Sequence, residues 1–352
     1  LTVSDLVSGS NVIPADCFEI LVEKYVLVTQ TNETQLVKGW YPDALVPLNR
    51  IVYYGENTIA ASDNQGFWFN LSIPEAAAAG TYTGSITFTA DGATAMVPVT
   101  VRVYDVTVPD EVHMVTAFNI DWFTIEYGEG ARAHTGGIQQ SYYDFLTDRR
   151  LASQTMPFWG TTEEYVERVV AMADNPSISA YRLPYESDAD NNLSENSVTN
   201  LLTMMANKNI ELAKSGKTSD LFAKAYYYLA TIIDEPTGDM SDKVKNCNII
   251  ISNAINQAAL LFDDDLLSAY PVLASVKESL LDLKHVVTSG YKASLASGEG
   301  MIDTWCPTFQ NYAENMEAFH SLKENGAHVW WYGCINPTSP FPSYHTDAKL
   351  IT

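Results

Sequence analysis

The residue pattern changes near position 110, and this change is the strongest constraint on how the chain can fold. Before it, short segments rich in β-branched and aromatic residues alternate with turn signals, without helical periodicity. Such segments predict strands at residues 20–29, 66–73, 81–90 and 95–104. Asp91-Gly92 separates the last two and predicts a tight hairpin turn. We therefore expect residues 1–110 to form a β-sandwich domain.

After this point, strand-like and helix-like segments alternate along the chain. The predicted strands are residues 112–121, 154–159, 178–185, 226–234, 285–289, 301–306 and 328–335. The predicted helices are residues 138–151, 161–174, 194–214, 240–262 and 312–326. This order predicts a (β/α)8 TIM-like barrel over residues 111–352, and thus a multidomain β plus α/β chain. A doubly wound sheet is the alternative, but no glycine-rich phosphate-binding turn follows the first strand.

The two ends of the sequence bear on how much of this barrel is present. The chain begins with Leu1 rather than Met, and it stops at Thr352, where the helix after the seventh strand should begin. We expect the chain to be truncated at both ends, with a barrel that lacks its last strand.

Charge and residue content exclude several classes of function. The sequence has 20 Lys and Arg against 43 Asp and Glu, a formal net charge of −23, so nucleic acid and anionic membranes are unexpected partners. No apolar run approaches the roughly 20 residues that span a bilayer. The six His and four Cys have no metal-ligand spacing, and we predict no metal and no cofactor. The oligomeric state is left open.

The sharpest chemical feature is the pair Asp234-Glu235. An apolar run beginning at Tyr226 leads directly into the two carboxylates, and Pro236 then ends the segment. In a barrel, residues at the carboxyl end of a strand face the active site. Neighbouring carboxylates can divide the roles of acid and base between them, although a purely structural pair is the alternative.

Aromatic and polar residues also follow the other predicted strands. Aromatic rings that stack on sugar faces, with polar groups that bind hydroxyls, are typical of a carbohydrate site. Any single Trp in this set is better explained as a core residue, and it is the recurrence at several strand ends that favours a binding site. The candidate binding residues are Asn119, Asp121, Trp159, Tyr185, Asp303, Trp305, Trp330, Tyr332 and, from a proline-rich loop, His345.

These motifs together resemble glycoside hydrolase family 123, the β-N-acetylgalactosaminidase family. In the first domain the similar segments are residues 39–47 (GWYPDALVP), 65–69 (QGFWF), 73–74 and 80–84. In the second they are Ile233-Asp-Glu-Pro236, Trp330-Trp-Tyr-Gly-Cys334 and residues 342–347.

The resemblance implies a retaining glycosidase that releases β-linked N-acetylgalactosamine from glycans or glycolipids. In that chemistry the substrate's own 2-acetamido oxygen attacks the anomeric carbon and forms an oxazolinium-like intermediate. Carried over, Glu235 is the general acid and base, and Asp234 orients the acetamido group. The resemblance also implies an extracellular, periplasmic or cell-surface location.

Two other functions stay open at this point. One is a non-catalytic glycan-binding surface protein with a degenerate barrel. The other is a conventional glycosidase with two opposed carboxylates, in which Glu235 would work with Asp303 or Asp121.

Overall fold

The computed structural model describes residues 1–30, 37–120, 122–130, 137–157 and 160–333. The chain divides into two compact units, Leu1–Val108 and Pro109–Thr352. The first unit consists mainly of antiparallel strands, and the second alternates strands with helices. The mixed β plus α/β class predicted from the sequence is therefore confirmed.

The first unit contains two antiparallel sheets. Its elements are β1 (Thr2–Val3), β2 (Leu6–Ser8), β3 (Asn11–Ile13), β4 (Phe18–Val28), β5 (Gly39–Pro47), α1 (Leu48–Tyr53), β6 (Phe67–Leu71), β7 (Gly80–Ala90) and β8 (Ala93–Val103). In one sheet β7 pairs with β1, β2 and β8, and β2 also pairs with β3. The other sheet has the order β5-β4-β6.

The two sheets enclose a small apolar core. Leu6, Ile13 and Tyr82 of the first sheet are buried, and Phe18 and Leu71 of the second pack against them. These side chains pack the two antiparallel sheets of the first unit against each other.

The turn between β7 and β8 has the predicted two-residue form. Ala90 pairs with Ala93, and the intervening Asp91 and Gly92 have φ values of 48° and 81°. Two successive positive φ values define the type I′ turn, whose twist matches that of the flanking strands.

The second unit is built on a parallel sheet. Its elements are α2 (Trp122–Glu129), α3 (Ile138–Thr147), α4 (Thr162–Ala173), β9 (Tyr181–Arg182), α5 (Glu195–Lys214), β10 (Ala225–Tyr228), α6 (Ser241–Ala259), α7 (Asp264–Ala269), α8 (Leu273–Leu281), β11 (Lys284–Val287), β12 (Thr304–Trp305), α9 (Phe309–Glu314), α10 (Met316–Glu324) and β13 (His328–Val329). Within the described ranges, β9 to β13 lie side by side in sequence order, and every pair is parallel.

Alternate residues of this sheet point to opposite faces. Tyr227, Val287 and Trp305 belong to the large cluster that includes the buried faces of α4, α5 and α6. Tyr226 and Val286 lie on the other face, in a smaller cluster. Helices therefore cover one face, and the second face has its own apolar lining.

Several predicted elements of the second unit are wrong in detail. The predicted strand 112–121 is reduced to a single parallel bridge between Phe118 and Ser153. The predicted strand 154–159 is not formed by its described residues, 154–157. The predicted helix 312–326 is interrupted at Asn315, whose φ of −123° and ψ of 29° are not helical. Three helices, α2, α7 and α8, were not predicted.

The helix α4 begins with a capping box formed by Thr161 and Glu164. The Thr161 side chain accepts a hydrogen bond from the Glu164 backbone N–H, and the Glu164 side chain accepts one from the Thr161 N–H. These reciprocal bonds satisfy two backbone donors that a helix end otherwise leaves unpaired.

We predict that Thr161→Ala lowers the free energy of unfolding by about 1 kcal/mol, because the cap hydroxyl is lost. Urea unfolding followed by circular dichroism measures this change. Thr162→Ala is the matched control, because Thr162 is also exposed but is the first residue within the helix. Equal effects of the two substitutions would contradict the capping role.

Candidate active site

The carboxyl ends of β10, β11 and β13 bring the predicted acidic pair together with residues that were not predicted. β10 ends at Tyr228, six residues before Asp234, so the predicted continuous strand 226–234 is wrong. The chain instead turns at Leu229, whose carbonyl accepts hydrogen bonds from the backbone N–H groups of Ile232 and Ile233 at 2.9 and 2.8 Å. This turn brings Asp234 back beside Tyr228, at the carboxyl end of β10.

The carboxylate of Asp234 is bonded to two hydroxyl groups. Tyr228 Oη and Thr288 Oγ1 both donate to Asp234 Oδ1, at 3.0 and 2.6 Å. Burial raises the pKa of Tyr228 to about 12, so its hydroxyl is protonated at neutral pH and available as a donor. Asp234 is itself exposed.

Glu235 has an unusual backbone conformation. Its φ is +44°, in the left-handed region that non-glycine residues seldom adopt, and Pro236 follows it. Its backbone N–H donates to Thr288 Oγ1 at 3.2 Å, and its carboxylate Oε1 accepts a hydrogen bond from Tyr332 Oη. Such backbone conformations are concentrated at functional sites, where surrounding contacts hold them in place.

A pocket of about 190 Å³ opens beside Glu235. Its walls are formed by Glu235, Thr288, Ser289, Gly290, Lys292, Thr308, Asn311 and Tyr332. Lys292 Nζ donates to the Pro236 carbonyl and lies 3.4 Å from Ser289 Oγ, which places a cation next to the acidic pair. The pocket is therefore polar and contains both a carboxylate and an ammonium group.

Gly290 allows the opposite wall of this pocket to approach closely. A Cβ atom at this position would lie 2.8 Å from Asn311 Nδ2, so a larger residue would push Asn311 away. Asn311 Oδ1 in turn accepts the Tyr291 backbone N–H at 3.2 Å.

Four of the predicted binding residues lie near the acidic pair, on the second sheet face or at the exposed bridge. Tyr332 contacts Glu235 directly. Tyr185 supports the turn after β10, because its hydroxyl accepts the Thr231 backbone N–H at 3.0 Å. Trp330 is half-buried on the lining of the second sheet face, with its ring 5.2 Å from that of Tyr226, and Asn119 is exposed after the Phe118 bridge.

The prediction that Trp305 lines the site is wrong. Its side chain is fully buried, and its ring lies 6.2 Å from Tyr291 and 6.1 Å from Phe319 between centroids. Successive residues of a strand point to opposite faces of the sheet. Trp305 points to the helix-covered face, and the next residue, Cys306, points to the other face.

The prediction for Asp303 is also wrong. Asp303 precedes β12, so it lies at the amino end of the parallel sheet, opposite the acidic pair. There it lines a different pocket with Asn248 and His285. Asp303 is an exposed residue, and partial burial of its carboxyl group raises its pKa.

Three of the predicted residues, Asp121, Trp159 and His345, lie outside the described residues. Among the residues that are described, no three His, Cys, Asp or Glu side chains come together as a metal site would require. In the same part of the chain, no helix is long and apolar enough to cross a membrane.

Thr288, Ser289, Lys292 and Asn311 were missed at the sequence level. A usable signal was present for the first two, because they end the predicted strand 285–289 and so belong to the same sheet edge as the acidic pair. Lys292 and Asn311 lie in connections after strands, where residue type alone does not show which way a side chain points.

The site therefore combines two adjacent carboxylates, which have different hydrogen-bond partners, with a polar pocket. Residues 1–90 match the family model described as the glycoside hydrolase 123 N-terminal domain. The resemblance to glycoside hydrolase family 123 that the sequence predicted is thus confirmed by an independent match over this region. A search of curated proteins found no match.

Several solved structures match the chain. A family 123 glycoside hydrolase from Clostridium perfringens, studied for glycolipid glycan hydrolysis, is 14% identical with a TM-score of 0.49; the match covers 97% of this chain and 64% of that one. Two structures of Parabacteroides merdae β-glucuronidase, one with glycerol, are 9% and 10% identical, with TM-scores of 0.29. They align with 94% and 92% of this chain, which spans 39% and 36% of their length. TM-scores below 0.5 are too low to establish a shared fold.

We predict that Trp305→Ala lowers the free energy of unfolding by about 3–5 kcal/mol, as expected for a large core residue. Trp68→Ala is the control, because Trp68 is 53% exposed and should cost less than about 1 kcal/mol. Chemical denaturation of both variants checks the difference. A Trp305 variant of near-parental stability would argue against the core position.

Proposed function

We propose that the chain is a retaining glycoside hydrolase that releases β-linked N-acetylgalactosamine from glycans or glycolipids by substrate-assisted catalysis. The observation that carries the proposal is the adjacency of Asp234 and Glu235, with different partners for each carboxylate. Adjacent acids suit a reaction in which the substrate supplies the nucleophile, because no second carboxylate is then needed on the opposite side of the sugar.

In the first step the 2-acetamido oxygen forms a bond to the anomeric carbon while the glycosidic bond breaks. Glu235 gives its proton to the leaving oxygen, and Asp234 accepts a hydrogen bond from the acetamido N–H, which becomes more positive as the ring closes. In the second step Glu235 takes a proton from water, whose oxygen attacks the anomeric carbon and reopens the oxazolinium ring. The hydroxyl of Tyr332 donates to Glu235 Oε1 and so orients the carboxyl group.

The proposal extends to the fold and the location. Five parallel strands in sequence order support a (β/α)8-type barrel. We also propose an extracellular, periplasmic or cell-surface location, where complex glycans are met. Fractionation of the native host with an antibody to the chain tests the location.

We predict that Glu235→Gln lowers kcat/KM for an aryl N-acetyl-β-galactosaminide by at least about 10²–10⁴-fold, because the proton donor and acceptor is lost. Asp234→Asn should lower it by several orders of magnitude while leaving sugar binding measurable. Glu163→Gln, an exposed change on α4, is the control and should have no effect. Near-parental activity in both site variants would refute the catalytic assignment.

The identity of the nucleophile can be tested separately. A thiazoline that mimics the oxazoline intermediate should inhibit the enzyme strongly, and an aryl β-galactoside without the 2-acetamido group should not be hydrolysed. If the enzyme hydrolysed the aryl β-galactoside as well as the N-acetylated substrate, and the thiazoline inhibited only weakly, a mechanism with two opposed carboxylates would be favoured instead. The position of Asp303 at the other end of the sheet disfavours it as the second acid of that scheme. Sugar binding by calorimetry without turnover would favour a non-catalytic glycan-binding protein.

A further inference from the structure

The hydroxyl of Thr288 is bonded to both members of the acidic pair. It lies 2.6 Å from Asp234 Oδ1 and 3.2 Å from the backbone nitrogen of Glu235. A backbone N–H can only donate, and an ionised carboxylate can only accept. The single hydroxyl proton of Thr288 must therefore point at Asp234, while its oxygen accepts the Glu235 N–H.

Asp234 Oδ1 has a second donor, the Tyr228 hydroxyl at 3.0 Å. Both donors occupy the same carboxylate oxygen, and within the described part of the chain no donor reaches Oδ2. The carboxylate plane is thereby set by the protein through one oxygen, and the other oxygen is left for a ligand.

Thr288 is well suited to such a task. It directly follows β11, which pairs in register with β10, so its position is set by the sheet rather than by a long loop. Its branched Cβ also restricts χ1, which limits the positions that the hydroxyl can take.

We propose that Thr288 is a positioning residue of the reaction, an inference that rests on the proposed function. Through its hydroxyl it turns Asp234 so that Oδ2 receives the substrate's acetamido N–H. Through the Glu235 N–H it also holds the left-handed backbone that directs the Glu235 carboxyl toward Tyr332 and the pocket. Thr288 itself touches no reacting atom in this scheme.

The test compares Thr288→Val, which removes the hydroxyl but keeps the shape, with Thr288→Ser, which keeps the hydroxyl. Thr304→Val is the matched control, because Thr304 is a buried threonine on the neighbouring β12 and does not line the pocket. The measurements are kcat and KM on an aryl N-acetyl-β-galactosaminide, and the Kd values of the thiazoline and of free N-acetylgalactosamine.

We predict that Thr288→Val lowers kcat about 10–100-fold, because a small misplacement of a catalytic group has an effect of this size. KM and the Kd of the free sugar should change less than about threefold, while thiazoline binding weakens in parallel with kcat. Thr288→Ser should restore kcat to within about threefold of the parent, and Thr304→Val should leave it unchanged. In an Asp234→Asn background, Thr288→Val should add at most about fivefold, because its main partner is already altered.

If Thr288→Val does not fold, Thr288→Ala takes its place, because it also removes the hydroxyl. A folded Thr288→Val or Thr288→Ala variant with parental kcat and thiazoline affinity would overturn the positioning role alone. A parent chain that neither hydrolyses the aryl substrate nor binds the thiazoline would instead overturn the proposed function, and this inference with it.

Discussion

Two hydrogen bonds to a single carboxylate oxygen are the interaction on which the candidate site depends. Tyr228 ends β10 and Thr288 follows β11, and both donate to Asp234 Oδ1. Because the two strands are neighbours in a parallel sheet, the sheet itself sets the spacing of the two donors. The turn at Leu229 supplies the remaining requirement, since it returns Asp234 to the place where both donors can reach it.

The local features that were predictable share a strong short-range cause. The Asp91-Gly92 turn follows from residues that tolerate positive φ. The Thr161 cap follows from a threonine, a preferred N-cap residue, three positions before Glu164. The location of the acidic pair at the carboxyl edge of the sheet was also predictable, because Pro236 ends the apolar segment. The tight turn before Asp234 was not, since buried Ile232 and Ile233 continue an apolar run that has no periodicity to separate turn from strand.

Side-chain direction was the main limit for the aromatic residues. β12 has only two residues, so its sequence contains no alternation that shows which face Trp305 takes. The structure places it among the helices, whereas Trp330 and Tyr332 belong to the lining of the other face. Strand-end position therefore predicted Tyr332 and Trp305 equally well, and only the packing of the sheet distinguishes them. The missed Thr288 shows the converse, because this small residue at a strand end is hydrogen-bonded to both Asp234 and Glu235.

The contacts of the acidic pair join residues that are far apart in the chain. Thr288 is 54 positions from Asp234 and 53 from Glu235, and Tyr332 is 97 positions from Glu235. Contacts of such sequence separation form only after long loops have closed. The arrangement of the acidic pair therefore depends on folding of the whole sheet edge: an isolated peptide with the Ile-Asp-Glu-Pro segment would have the two acids without the contacts that position them.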